Sequence, residues 1–161
     1  KLRQYHKKLG GENVRYLYLS PKEVLKPSGF TYKLFDQDHI HELDSQKEFR
    51  NALNFKNDVI AYGAYDGDKL VALAGADDVM NDLWQMGIDT LKDYRNKGLG
   101  VYLVKTIADE IEKQGRLPFY TTWSPNIAST KLALSAGFEP VWVEYFSKEL
   151  VCQRVIEGEK V

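Results

Sequence analysis

Thr90-Leu91-Lys92-Asp93-Tyr94-Arg95-Asn96-Lys97-Gly98-Leu99-Gly100 joins an apolar run, Leu83 to Thr90, to a long helical one. Past the turn, Leu99, Leu103, Val104, Ile107, Ala108 and Ile111 recur at helical spacing, with Lys105, Asp109, Glu112 and Lys113 off that stripe. The pattern reads as a strand, a polar turn with two glycines, and an amphipathic helix. The first N–H groups of such a helix have no internal partner, and its dipole favours negative charge in front of them. Gly98 and Gly100 carry no side chain to block the approach, and Arg95 and Lys97 add positive charge. A pyrophosphate suits the position. The same residues also suit a tight turn with solvated charges. The loop is neither a Walker A sequence nor a dinucleotide fingerprint, because the required lysine–hydroxyl pair and third glycine are missing.

Working outward, Phe30 to Phe35 reads as a strand and Asp44 to Leu53 as a short helix capped by Asp44. Val59 to Tyr65 and Lys69 to Ala76 flank Asp66-Gly67-Asp68, a hairpin signal. The long helix should stop at Gly115, followed by a strand from Leu117 to Trp123. Ser124 and Pro125 look like an N-cap and a first helical residue, with that helix ending at Gly137 and a last strand over Phe138 to Phe146. Near the start, Gly10-Gly11 reads as a break after a short helix, and Val14 to Leu19 as a strand. The expected organisation is an extension over 1–28, one α/β (α+β) domain over 29–147 and a charged tail over 148–161. A meander followed by two strand–helix–strand steps gives a mixed sheet covered by helices.

The 161 residues suffice for one domain with a core, and a net charge of -1 gives no general attraction to nucleic acid or acidic membrane. The single cysteine, Cys152, excludes an internal disulfide. No apolar run is long enough to span a bilayer and no signal peptide is present, so a cytoplasmic setting is expected. His39 and His41 could present two ligands on one strand face, yet nothing completes a set, and no metal is expected.

The chain resembles the GNAT superfamily of N-acetyltransferases. Arg95, Gly98 and Gly100 match the family's phosphate loop. Asn126, followed eleven residues later by Gly137 and Phe138, matches its second motif, with a small residue at Ser129. The likeness covers about Phe30 to Phe146. It implies a mostly antiparallel central sheet whose middle strands, Leu83–Thr90 and Leu117–Trp123, splay apart, with flanking helices. It also implies acetyl-CoA as acyl donor, its pantetheine arm beside Ile88, Asp89 and Thr90, and its pyrophosphate on Arg95, Asn96, Lys97, Gly98, Leu99, Gly100 and Val101. Asn126 and Ser129 would contact the arm from the next helix; Asn126, just after Pro125, also suits a helix cap.

The implied reaction is direct transfer of acetyl to a primary amine, by a monomer or homodimer. The family's usual tyrosine acid falls at Ala133, and its usual carboxylate base near Trp84. Releasing a thiolate at neutral pH costs only about 2 kcal/mol, so a missing acid need not be fatal. Ser124, Tyr120 or Tyr145 are the candidate donors. Neutralising a lysine-like amine costs roughly 4.6 kcal/mol, so a base matters more. Asp89 and Glu144 are the nearest carboxylates by position, although both also suit the solvent side of a strand. Asp77 and Asp78 suit either a cationic acceptor or a turn. The alternative to an enzyme is a degenerate module that holds CoA as a sensor or structural part.

Overall fold

A computed structural model describes residues 2–5, 7–53 and 57–149. Its strands are β1 (Lys7–Tyr18), β2 (Thr31–Phe35), β3 (Asp58–Asp66), β4 (Lys69–Met80), β5 (Leu83–Thr90), β6 (Leu117–Trp123) and β7 (Phe138–Glu149). Its α-helices are α1 (Leu99–Lys113) and α2 (Ile127–Ala136). The strands form one sheet in the order β2-β3-β4-β5-β6-β1-β7. Every ladder is antiparallel except β5 with β6, which is parallel. This is the mixed, mostly antiparallel sheet with flanking helices that the sequence implied.

The apolar stripe of α1 is the buried one: Leu99, Leu103, Val104, Ile107, Ala108 and Ile111 are all sealed from solvent. They pack on Ala72, Ala74, Ala76, Trp84 and Met86 of the sheet. The helix stops as expected at Gly115, which has φ +71°. Gly115 N–H bonds to Glu112 and Arg116 N–H to Ile111, the paired bonds of a left-handed helix end. On the opposite face, Phe49, Ala52 and Leu53 pack with Leu43 against Ala61, Leu70 and Leu73.

Several readings need correction. Residues 1–28 are not only an extension: they supply β1, which sits between β6 and β7 with Tyr16 and Tyr18 buried in the main core. Gly10-Gly11 does not break a helix but stays within β1. Side chains there would strike the Phe146 ring and Trp123 Nε1, so the glycines make room for aromatic rings. Asp44 to Leu53 forms turns rather than a helix, after a 3-10 turn at Ile40–Leu43. His41 lies in that turn, not on a strand, and His39 just before it contacts Asp36. β7 continues to Glu149, while Cys152 and the rest of the expected tail lie outside the described residues. No described helix is long and apolar enough to cross a membrane.

Candidate functional site

β5 and β6 pair from Leu83 opposite Leu117 to Met86 opposite Tyr120, and no further. Beyond that rung the strands part, while β5 keeps its other edge on β4 as far as Thr90 opposite Ala72. The facing backbone groups of residues 87–90 and 121–123 therefore have no ladder, and buried peptide groups require partners. A cavity of about 1020 Å³ occupies the gap, reaching from Gln85 and Tyr120 to the tip of α1 and the flank of α2.

The turn from Thr90 to Gly98 leads into the α1 tip. Gly98 is its N-cap at φ +79°, and Asn96 also has a positive φ of 61°. No side chain caps the helix and its first turn holds no carboxylate. The N–H groups of Leu99, Gly100 and Val101 precede the first helical bond, Tyr102 N–H to Gly98 O. An added Cβ at Gly98 would make only an ordinary contact with Pro27, so the left-handed backbone, not space, demands glycine there. Gly100 differs. Its Cβ would come within 2.8 Å of the Leu132 side chain on α2, so this glycine lets the two helices approach while it also borders the cavity.

The two cations are not both aimed at the cavity. Arg95 lines it, with Nε folded back to donate to Thr90 O at 3.1 Å. Lys97 is not among the lining residues, and its Nζ lies over the Tyr94 ring, 4.7 Å from the centroid. Ile88, Asp89, Thr90, Asn96, Asn126 and Ser129 all border the cavity.

At α2 the cap is Asn126, not Ser124: Asn126 Oδ1 accepts Ser129 N–H at 3.1 Å. Pro125 therefore precedes the helix. The Ser129 side chain lies beside the Tyr120 phenol. Burial holds that phenol above its ordinary pKa; the Ser129 contact opposes the shift, and the charge of Asp89 adds to it. Tyr120 is thus a neutral phenol at physiological pH, buried at the rung where the strands part.

The other catalytic candidates are occupied or remote. Asp89 accepts three hydrogen bonds, from Asn51 N–H (2.7 Å), Asn51 Nδ2 (2.7 Å) and Ala52 N–H (3.0 Å). Its carboxylate is engaged in holding the loop that carries Asn51 and Ala52. Glu144 pairs with Arg15, whose Nε lies 2.8 Å away and whose other nitrogens reach Glu144 and Thr121. It stands on β7, two strands from the gap. Ser124 lies past the end of β6, with its N–H on Glu12 O, outside the cavity wall. Tyr145 stands opposite Glu12 on the exposed side of the sheet edge. Ala133 is buried in the core, and Trp84 Nε1 donates to Asn81 O.

Asn51 was missed by the sequence reading, although it lines the cavity. Its signal is indirect. Gly75 and Gly87 stand opposite one another across the β4–β5 hairpin, and glycines inside strands mark close backbone approach.

A family model described as GNAT acetyltransferase matches residues 20–145. No curated protein matches the sequence. Among solved structures, a GNAT-family protein from Novosphingobium aromaticivorans superposes with a TM-score of 0.67 at 16% identity, covering 88% of this chain and 66% of that one. A GCN5-related N-acetyltransferase-like protein from Streptococcus suis gives 0.65 at 16%, covering 89% and 63%. A GCN5-related N-acetyltransferase from Kribbella flavida gives 0.64 at 17%, covering 91% and 60%. At such identities the likeness is one of fold, and the chain spans less than two thirds of the length of each.

Proposed function

Because this chain belongs to the GNAT acetyltransferase family, we infer that it binds acetyl-CoA between β5 and β6 and transfers the acetyl group to a primary amine. One observation carries the reading: the parted strands run straight to a helix tip with free N–H groups and no acidic residue. A pantetheine arm can add the missing ladder to β5, and a pyrophosphate can complete the first turn of α1. The fit is chemical as well as spatial, since the tip lacks the carboxylate that would repel an anion.

In the reaction the amine lone pair attacks the thioester carbonyl carbon. A C–N bond forms, the C–S bond breaks, and the amine's surplus proton leaves to solvent. The departing thiolate takes the proton of the Tyr120 phenol, which solvent then replaces through the Ser129 hydroxyl. A backbone N–H of the free β5 edge serves the oxyanion. Tyr120 replaces the acid lost at Ala133: it reaches α2 at Ser129, one turn before Ala133.

A second reading has its own support. Asp89 and Glu144, the nearest carboxylates, are both engaged elsewhere, which suits a module that holds CoA without turning it over. Calorimetry with CoA, then free-thiol release from acetyl-CoA with a panel of amines, tests both. Binding with amine-dependent release supports the enzyme; binding with equal slow release for every amine supports the sensor. Absence of CoA binding removes both.

A further inference from the structure

Asp89 lies on the β5 face opposite α1, as do Gln85 and Gly87, while Trp84, Met86 and Ile88 pack into the α1 core. On that face the main chain of Asn51 and Ala52 rests directly on the sheet. A Cβ at Gly75 would come 2.5 Å from Ala52 O, and one at Gly87 would overlap Asn51 O. The Asp89 carboxylate grips the same segment from the side. Oδ2 takes both main-chain N–H groups and Oδ1 takes the Asn51 amide nitrogen. A carboxylate accepts only, so the Asn51 amide must turn its NH2 toward Asp89. Its oxygen, Oδ1, then has no partner among the described residues, on a side chain that borders the cavity.

We propose that Asn51 Oδ1 receives an N–H of the incoming amine, and that Asp89 is the positioning residue that keeps this oxygen presented. The inference rests on the acyl-transfer reading and names the group that binds its acceptor. It fixes the chemistry of that acceptor: a nucleophile with a hydrogen to donate while its lone pair stays free for the thioester carbon. It also gives Asp89 a role that does not require a free carboxylate.

Asp89→Asn supplies the test. The oxygen of the new amide can still accept both main-chain N–H groups, so the segment stays in place. Its NH2 then faces Asn51, whose amide must flip and present a donor to the cavity. Steady-state transfer from acetyl-CoA is measured with benzylamine, spermidine and a lysine peptide, using the best of the three. The amine KM should rise about tenfold, the weight of one ordinary hydrogen bond, with the acetyl-CoA KM within about twofold of wild type. The reciprocal double variant, Asn51→Asp with Asp89→Asn, again presents an oxygen and should recover most of the loss. Asn51→Ala leaves both main-chain bonds to Asp89 intact and should raise the amine KM similarly, which carries the test should Asp89→Asn not fold. An unchanged amine KM, equal rises in both KM values, or a double variant no better than the single one overturns the inference alone. A wild type that binds CoA but acetylates none of the three amines overturns the functional reading, and this inference with it.

Discussion

Met86 stands opposite Tyr120 on the last rung shared by β5 and β6, and the Tyr120 phenol meets Ser129 of α2 just there. The proposed proton donor is thus anchored on paired strand, next to the stretch where pairing has ended. Tyr120→Phe should lower kcat by about 10- to 100-fold, at the modest end of acid catalysis because a thiolate is a good leaving group. CoA affinity by calorimetry should change less than about twofold. Below about pH 10 the wild-type rate should show no loss from phenol ionisation, since burial raises the Tyr120 pKa. A variant as fast as wild type removes Tyr120 from the chemistry.

Gly98 is held at φ +79° on the helix that faces the cavity. Gly98→Glu adds both backbone strain and a negative charge, and should weaken CoA binding by about tenfold or more. Gly98→Asn keeps a residue that tolerates the left-handed region and should bind within a few-fold of wild type. Titration calorimetry of the two variants separates charge from conformation.

Asn126 lines the cavity, yet its side-chain oxygen is spent on Ser129 N–H. Asn126→Ala should therefore cost about 1 kcal/mol of stability, seen in urea melts. Asn126→Ser and Asn126→Asp should retain most of it, because both can cap. CoA affinity should fall less than stability suggests.

Gly87 lies beneath the Asn51 carbonyl with no room for a methyl group. Gly87→Ala should destabilise by about 1–3 kcal/mol, the usual range for overpacking, and should loosen the segment above it. Hydrogen exchange of the Asn51 and Ala52 amides reports the second effect. Both amides are held by Asp89 in the wild type and should exchange faster in the variant.

Tyr18, Tyr62, Tyr65 and Tyr120 all have phenol pKa values raised chiefly by burial. The folded protein keeps those protons at pH values where the unfolded chain has lost them. Their contribution to stability is complete below about pH 10 and falls as pH rises further, by at most about 1.4 kcal/mol per pH unit for each phenol. Urea melts between pH 8 and 11 should show that alkaline decline, and a flat profile would contradict it.

The glycine turn ahead of α1 and both helices were legible because their signals are local. A periodic apolar stripe names the buried face of α1, and glycine names its left-handed entry and exit. Partnerships across the sheet were not legible. Nothing near Asp89 in the chain announces Asn51, 38 residues away, as its ligand, nor does Glu144 announce Arg15. The two glycines at 10 and 11 misled for the same reason: their local reading is a break, while the rings that require them come from Trp123 and Phe146. Ser124 with Pro125 mimicked a cap two residues too early, and the Asn126 hydrogen bond decides between them.

The seat of β1 between β6 and β7 bears on how this protein reaches its native state. Both neighbours of β1 are made about a hundred residues after it, so during synthesis its two edges stay bare until nearly everything else has emerged. Pairings this distant in sequence close slowly. Insertion of that strand should be a late kinetic event, and a nascent chain stalled before β6 would carry buried-type tyrosines in the open, a natural target for chaperones.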